Sequence, residues 1–247
     1  MKIAVAGGTG TVGRLVVERA REARHDAVVL SRAAGVDLRD RAAVERALAG
    51  TEAVIDAASV GTTSAATATE FFAAASGTLL SAAASTGVGH AALLSIVGID
   101  RNPNGYYSGK VRQEELFEDG AVPWSILRAT QFHEFAGQVA AQARLGPLQL
   151  APRARVQPVA AAEVAARLVD IAVAGPQGRA PDLAGPREER LDRMIRAWVH
   201  RDGSRRLVLP VSIPGAQMRG MREGLALPGP AATIAGPSFD EWLGSRR

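Results

Sequence analysis

The chain has 247 residues, 47% of them apolar, no cysteine and a formal net charge of +4, enough for one large α/β domain, or one domain with a small lobe. The lack of cysteine excludes a disulfide framework and thiolate chemistry and agrees with a reducing, cytoplasmic setting. The scattered arginines do not form a nucleic-acid stripe, no apolar run is long enough to span a bilayer, and no signal peptide precedes the first strand.

Residues 2–6 form a short apolar strand. Gly7-Gly8-Thr9-Gly10-Thr11-Val12-Gly13 follows, then a helical pattern through Leu15, Val16 and Arg19. Two glycine spacings fit a dinucleotide turn: Gly8-x-Gly10-x-x-Gly13 and Gly7-x-x-Gly10-x-x-Gly13. A pyrophosphate can sit on a helix N-terminus only where no Cβ blocks the backbone. The strand–turn–helix context gives the motif its meaning. Gly7, Thr9, Gly10, Thr11, Val12 and Gly13 are the candidate contacts; a tight turn with no ligand is the alternative.

Residues 27–30 read as the second strand, ending at Ser31-Arg32. In a dinucleotide fold that end faces the adenosine ribose. A hydroxyl and a guanidinium there suit the 2′-phosphate of NADP(H) better than the free hydroxyl of NAD. A solvated strand-end arginine is the other reading. Residues 35–38 read as a very short strand. Its Asp37 either meets the adenine amino group or simply ends the strand. Asp40 caps a helix running to Ala49 and closed by Gly50. Residues 53–59 form a buried strand, whose small final residues Ala57, Ala58 and Ser59 let a cofactor lie close. A long Ala-rich helix over residues 69–85 and a strand over 91–97 follow.

Residues 101–105 are a turn-rich loop. A helix over Tyr106–Glu118, a strand over 124–128 and a helix over 131–144 continue the alternation. It predicts a doubly wound parallel sheet with right-handed crossovers, a Rossmann arrangement, over residues 1–145. Prolines then become frequent. Residues 146–247 are expected to be a small lobe covering the substrate, within the same domain. It holds helices over 160–174 and 191–199, a strand near 206–209 and a Gly- and Pro-rich flap over 210–237.

Tyr106-Tyr107-Ser108-Gly109-Lys110 contains Tyr-x-x-x-Lys, and on a helix positions i and i+4 share a face. Tyrosine occurs only at 106 and 107, and lysine only at 2 and 110, so chance rarely makes this pair. A neighbouring ammonium favours the ionised phenol and lowers its pKa. Such a phenol gives a proton to a developing alkoxide. The alternative is a surface pair, with Lys110 bridging to Glu114. Ser95 ends the preceding strand and either bonds a substrate carbonyl oxygen or is an ordinary strand-end serine. His25, His90, His133 and His200 have no metal-ligand spacing; His133-Glu134 lines a pocket or lies in an exposed first turn. No Gly-x-Ser-x-Gly elbow or Walker lysine is present.

Together the glycine turn, Ser31-Arg32, Ser95 and Tyr106-x-x-x-Lys110 resemble a short-chain dehydrogenase/reductase. The compact spacing and Leu127-Arg128-Ala129-Thr130-Gln131-Phe132 resemble its atypical NmrA-like, NAD(P)H-binding branch. The resemblance implies an NADP(H) cofactor, Tyr106 as acid, Lys110 on the nicotinamide ribose and Ser95 as helper. It places Ala129, Thr130, Gln131 and Phe132 near the nicotinamide. The expected protein is an NADPH-dependent reductase of a small carbonyl or quinone, monomeric or homodimeric. A redox sensor of the NmrA kind and a nucleotide-sugar epimerase or dehydratase are the rivals. The Tyr–Lys pair favours an enzyme, and the small lobe disfavours the sugar.

Overall fold

The computed structural model describes residues 1–201 and 203–246. Strands and helices alternate as β1 (Lys2–Ala6), α1 (Thr11–Glu22), β2 (Asp26–Leu30), α2 (Arg41–Leu48), β3 (Ala53–Asp56), α3 (Ala65–Thr86), β4 (His90–Ile96), α4 (Tyr106–Glu118) and β5 (Trp124–Ala129). The chain continues through α5 (Phe135–Gln142), β6 (Arg144–Leu145), β7 (Leu148–Pro152), β8 (Arg155–Val156), α6 (Ala161–Ala174), β9 (Gly178–Arg179), β10 (Leu183–Ala184) and β11 (Glu189–Arg190). It ends with α7 (Leu191–His200), β12 (Leu207–Val211), α8 (Ala216–Glu223), β13 (Thr233–Ile234) and α9 (Phe239–Gly244).

Among the described residues, one eight-stranded sheet runs β13-β10-β5-β4-β3-β1-β2, with β9 also paired to β5. Every pairing in it is parallel. Strands β1, β3 and β4 are buried along nearly their whole length, because helices cover both faces. On one face α1 and α6 pack Val16, Val17, Leu168 and Ile171 against Ile3, Val5 and Ile55. On the other, α2, α3 and α4 pack Leu48, Leu79 and Phe117 against Ala4, Val54 and Leu93. Strand β1 pairs β2 on one side and β3 on the other, so a crevice opens past their carboxyl ends. This is the doubly wound sheet expected.

Chain order and layer order part company after residue 146. Helix α6 and strands β9, β10 and β13 belong to the main sheet and its helix layer. The small sheet β12-β7-β6, α5, α7, α8 and α9 form a separate core around Met194, Ile195, Phe239 and Trp242.

Three expected elements differ. Residues 35–38 are not a strand. Ser31 Oγ accepts the Ala34 N–H at 3.2 Å and turns the chain into a single 3₁₀ turn, closed by Gly35 at φ 80°. Asp37 Oδ1 then accepts the Arg39 N–H at 3.0 Å. These local side-chain bonds outcompete an edge strand. The helix expected over 131–144 begins only at Phe135. Val159 N donates to the Gln131 carbonyl at 2.9 Å and His133 N to the Val159 carbonyl at 3.1 Å, so 131–133 pair with a lobe segment instead. The expected flap over 210–237 contains α8 and β13.

Candidate active site

At the carboxyl ends of β1–β4 lies a cleft of about 810 Å³. Its walls include Gly7, Thr9, Gly10, Thr11, Val12, Ser31, Arg32, Asp37, Ala57, Ala58, Ser59, Ser95, Tyr106, Lys110 and Phe132. The fold thus gathers most of the predicted residues. Gly13, Thr130 and Gln131 do not line it. Gly13 lies behind the turn. Thr130 Oγ1 donates to the Gln157 carbonyl at 2.6 Å, and Gln131 Nε2 reaches the buried Tyr107 hydroxyl at 3.4 Å. Thr130 thus ties to the lobe and Gln131 to α4, rather than facing the cleft.

The glycine turn is built by close approach. Gly7 has φ 71°, and a Cβ there would stand 2.7 Å from Ala58 Cα, so a side chain would push β1 and β3 apart. A Cβ on Gly13 would overlap the Gly7 carbonyl oxygen. Gly10 is different: it is exposed, and a Cβ there meets only Gly7 O at 3.2 Å. Gly10 is also the N-cap of α1. No side chain caps that terminus, and its first turn holds no acid, whereas Asp40 caps α2 and Ser64 caps α3. First-turn N–H groups left for an anion, beside glycines that keep the approach open, fit a dinucleotide pyrophosphate.

The end of the cleft beyond β2 carries its charges. Arg32 is exposed and makes no ion pair among the described residues. Asp37 takes a forked bond from Arg39, at 3.2 Å from Nε and 2.9 Å from Nη2. That fork, helped by the charge of Arg32, holds the Asp37 carboxyl down at about 2. Arg39 lines the cleft with them. Sequence reading missed it, although it lies two residues from a predicted contact. Gln138 was missed too: its amide donates to Thr11 Oγ1 at 3.3 Å and brings α5 against the glycine turn.

At the other end Tyr106 is half-buried. Its hydroxyl lies 2.9 Å from Ser59 Oγ, and its ring meets Phe72 edge-on with centroids 5.6 Å apart. Val60, Phe71, Ile96 and Phe132 complete an apolar wall. The expected lowering of the Tyr106 pKa does not occur. Burial pushes it up, the Ser59 hydrogen bond opposes this, and the charge of Asp56 adds to the rise.

Lys110 is buried rather than paired on the surface. Its Nζ donates to the Leu94 carbonyl at 2.6 Å and to Gln113 Oε1, and lies 4.9 Å from the Phe72 ring centre. Burial pushes it down to about 8, with Asp56 and Glu114 pulling the other way. Glu114 is held elsewhere, by Arg128 at 2.7 Å and Arg179 at 2.9 Å. Ser95 is buried next to Glu114, close enough to help hold that carboxyl low. Its Oγ makes no hydrogen bond of good geometry, and the serine that meets Tyr106 is Ser59. His133 neither lines the cleft nor lies exposed: it packs against Phe239 and Trp242, with Nε2 3.0 Å from the Pro237 carbonyl oxygen. Among the described residues no group of side chains could hold a metal ion, and no helix is long and apolar enough to cross a membrane.

The NAD(P)H-binding family model matches residues 7–174, the span that builds this cleft. No curated protein matches the chain by sequence. Among solved structures, the NADPH-dependent quinone oxidoreductase of Escherichia coli, complexed with NADPH, is 20% identical with a TM-score of 0.75, covering 98% of this chain and 99% of that one. The Citrobacter sp. triphenylmethane reductase complexed with NADP(H) is 17% identical, TM-score 0.68, covering 93% and 92%. A nucleoside-diphosphate-sugar epimerase from Pseudomonas aeruginosa is 17% identical, TM-score 0.70, covering 98% and 95%. The expected NADP(H) cofactor agrees with the family and with these complexes. A doubly wound sheet, an uncapped glycine turn and a matching family model over two thirds of the chain lead to one conclusion: this protein belongs to the NAD(P)H-binding family.

Proposed function

We propose that the protein is an NADPH-dependent reductase of a small, uncharged carbonyl or quinone. The observation that carries this reading is the Tyr106 hydroxyl, held by Ser59 in an apolar end of the cleft. NADPH, when bound, supplies the hydride. The uncapped first turn of α1 would hold its pyrophosphate, Arg32 and Arg39 its 2′-phosphate, and Lys110 its nicotinamide ribose. Tyr106 then donates its proton to the substrate oxygen. Its raised pKa keeps that proton in place at neutral pH, as a general acid requires. Ser59 orients the phenol and is placed to share the substrate oxygen. Phe71, Ile96 and Phe132 exclude water from that end and favour a flat, apolar substrate.

A nucleotide sugar would bring a second diphosphate into the Tyr106 end, where no arginine lines the cleft among the described residues. This favours the reductase over the epimerase reading. A screen of NADPH oxidation over quinones and ketones, read at 340 nm, tests the proposal. Turnover of at least one compound, lost in Tyr106→Phe, supports it. Tight NADPH binding without turnover of any would favour a redox sensor.

A further inference from the structure

Asp56, the last residue of β3, is a carboxylate with 1% exposure. Its Oδ1 accepts the Ala58 N–H at 3.0 Å. Its Oδ2 accepts from Ser76 Oγ at 2.8 Å and from Gln113 Nε2 at 2.9 Å. Gln113 Nε2 also donates to Ser76 Oγ at 2.8 Å, and the amide oxygen of Gln113 accepts from Lys110 Nζ. Ser76 and Gln113 are both fully buried. A buried anion and a buried cation are thus joined by a single amide.

The orientation of that amide follows from charge. Its NH₂ faces a carboxylate and its oxygen faces an ammonium; the flipped amide would set like against like at both ends. Removing an ammonium from water is costly unless it is paired and hydrogen-bonded, and Lys110 Nζ touches no carboxylate directly. The charged groups acting on it are Asp56 from β3 and, from its own helix, Glu114; the Tyr106 phenol, one turn back on the same helix, is neutral. Helix α3 sets the Phe72 ring 4.9 Å from Nζ, and β4 offers it the Leu94 carbonyl. Glu114 is occupied by Arg128 and Arg179. Asp56 is therefore the counter-charge left to Lys110, and among the described residues the Gln113 amide is what hydrogen-bonds both.

We propose that Asp56, Ser76 and Gln113 are positioning residues that keep Lys110 protonated and aimed at the cleft, the Gln113 amide carrying the influence of Asp56 to the ammonium. Through the Ala58 N–H the same carboxylate holds the turn at Ala57–Ala58 against Gly7, so one buried anion fixes both the cofactor cradle and the lysine. The inference rests on the reading that Lys110 serves the nicotinamide ribose.

The chain has two lysines, Lys2 and Lys110. Protein labelled with ¹³C at the lysine ε-carbon therefore gives two signals, and Lys2 serves as internal reference. Burial already brings Lys110 to about 8, within reach of a titration on folded protein. In Asp56→Asn and Gln113→Leu, the Lys110 midpoint should fall by about one unit or more, the size a lost charge partner produces, while Lys2 stays put. Gln113→Glu, which places a carboxylate beside the ammonium, should raise it. NADPH titrations should show the same displacement: affinity lost as pH rises should be lost at lower pH in the first two variants. Should Asp56→Asn not fold, the opposite shifts of Gln113→Leu and Gln113→Glu still decide. An unchanged Lys110 midpoint in folded variants overturns the proposal. The midpoint does not depend on turnover, so a shifted midpoint in a protein that reduces nothing would sink the reductase reading alone.

Discussion

Ser59 Oγ and the Tyr106 hydroxyl lie 2.9 Å apart, joining the end of β3 to the first turn of α4 across 47 residues of chain. In the proposed mechanism this contact makes Ser59, rather than Ser95, the helper of Tyr106. Tyr106→Phe keeps the ring against Phe72 and deletes only the proton donor. Turnover at saturating NADPH should fall about 10²–10⁴-fold, the usual contribution of general acid catalysis. Ser59→Ala should lower it more than Ser95→Ala does. Tyr107→Phe, altering a hydroxyl turned toward Gln131, should change it little. Equal losses at Ser59 and Ser95, measured as kcat on one substrate, would remove Ser59 from the site.

Cofactor choice should depend on two arginines. Asp37 is ionised throughout the neutral range, and alone it would repel a 2′-phosphate. Arg39 neutralises it and Arg32 stands free beside it. A charge-assisted hydrogen bond contributes about 1.5–3 kcal/mol, so Arg32→Ala should cut the preference for NADPH over NADH by about one to two decades. Arg39→Ala, which also frees the Asp37 charge, should cut it at least as far. Fluorescence titration with both cofactors checks this; parallel losses of NADPH and NADH would refute it.

The glycines of the turn should separate folding from binding. Gly10→Val points a side chain into the cleft and meets only one protein atom closely, so the chain should fold and lose NADPH. Gly13→Val drives a side chain into the Gly7 carbonyl. Overpacking of this kind typically costs about 1–3 kcal/mol, and the backbone here cannot give way. Urea unfolding and NADPH titration on both variants distinguish the two effects; a folded Gly10→Val protein with native affinity would place the pyrophosphate elsewhere.

Acid stability should report on Glu114. Burial raises its pKa, but Arg128, Ser95 and Arg179 more than offset this and leave it below its ordinary 4.5. A carboxyl with a depressed folded value contributes fully above its unfolded value, and the contribution is lost as pH falls through the folded one. The urea midpoint should therefore drop as pH falls below 4.5, and Glu114→Gln should flatten that drop. At pH 7 the same substitution should cost about 1.5–3 kcal/mol, the size of a charge-assisted hydrogen bond, since Arg128 loses its forked partner but keeps Asp100 at 3.3 Å.

What could be read from the chain beforehand followed the range of the forces involved. Strand β1, the glycine turn and α4 are set by local chemistry: a continuous apolar run, missing Cβ atoms and helical spacing. The turn accordingly forms between β1 and α1, and Tyr106 and Lys110 both reach the cleft from α4, although Gly13 packs behind the turn. Residues 35–38 look like a strand by composition, but Ser31 and Asp37 bind the backbone first. Phe132 lines the cleft as expected, yet its neighbours pair with Val159 because a lobe segment arrives from 27 residues away. The bond from Ser59 to Tyr106 and the bridge from Asp56 to Gln113 join residues 47 and 57 apart. Their distance in sequence hid them. Around Lys110 the alternative partner Glu114 was visible at helical spacing, whereas the Leu94 carbonyl on β4 was hidden by distance and the Gln113 amide, three residues on, was overlooked.

The late segments that finish the sheet give synthesis an order of events. The glycine turn, Arg32, Tyr106 and Lys110 are all synthesised by residue 118, but β5 and the helix α6 that covers one face of β1 and β3 come later. The wall at Phe132 waits for Val159, and the bracing of His133 waits for Pro237 and Trp242. The last strand to join the main sheet, β13, begins only at residue 233. The first half of the chain thus carries most of the groups that line the cleft, and the second half brings the cover against which they are held.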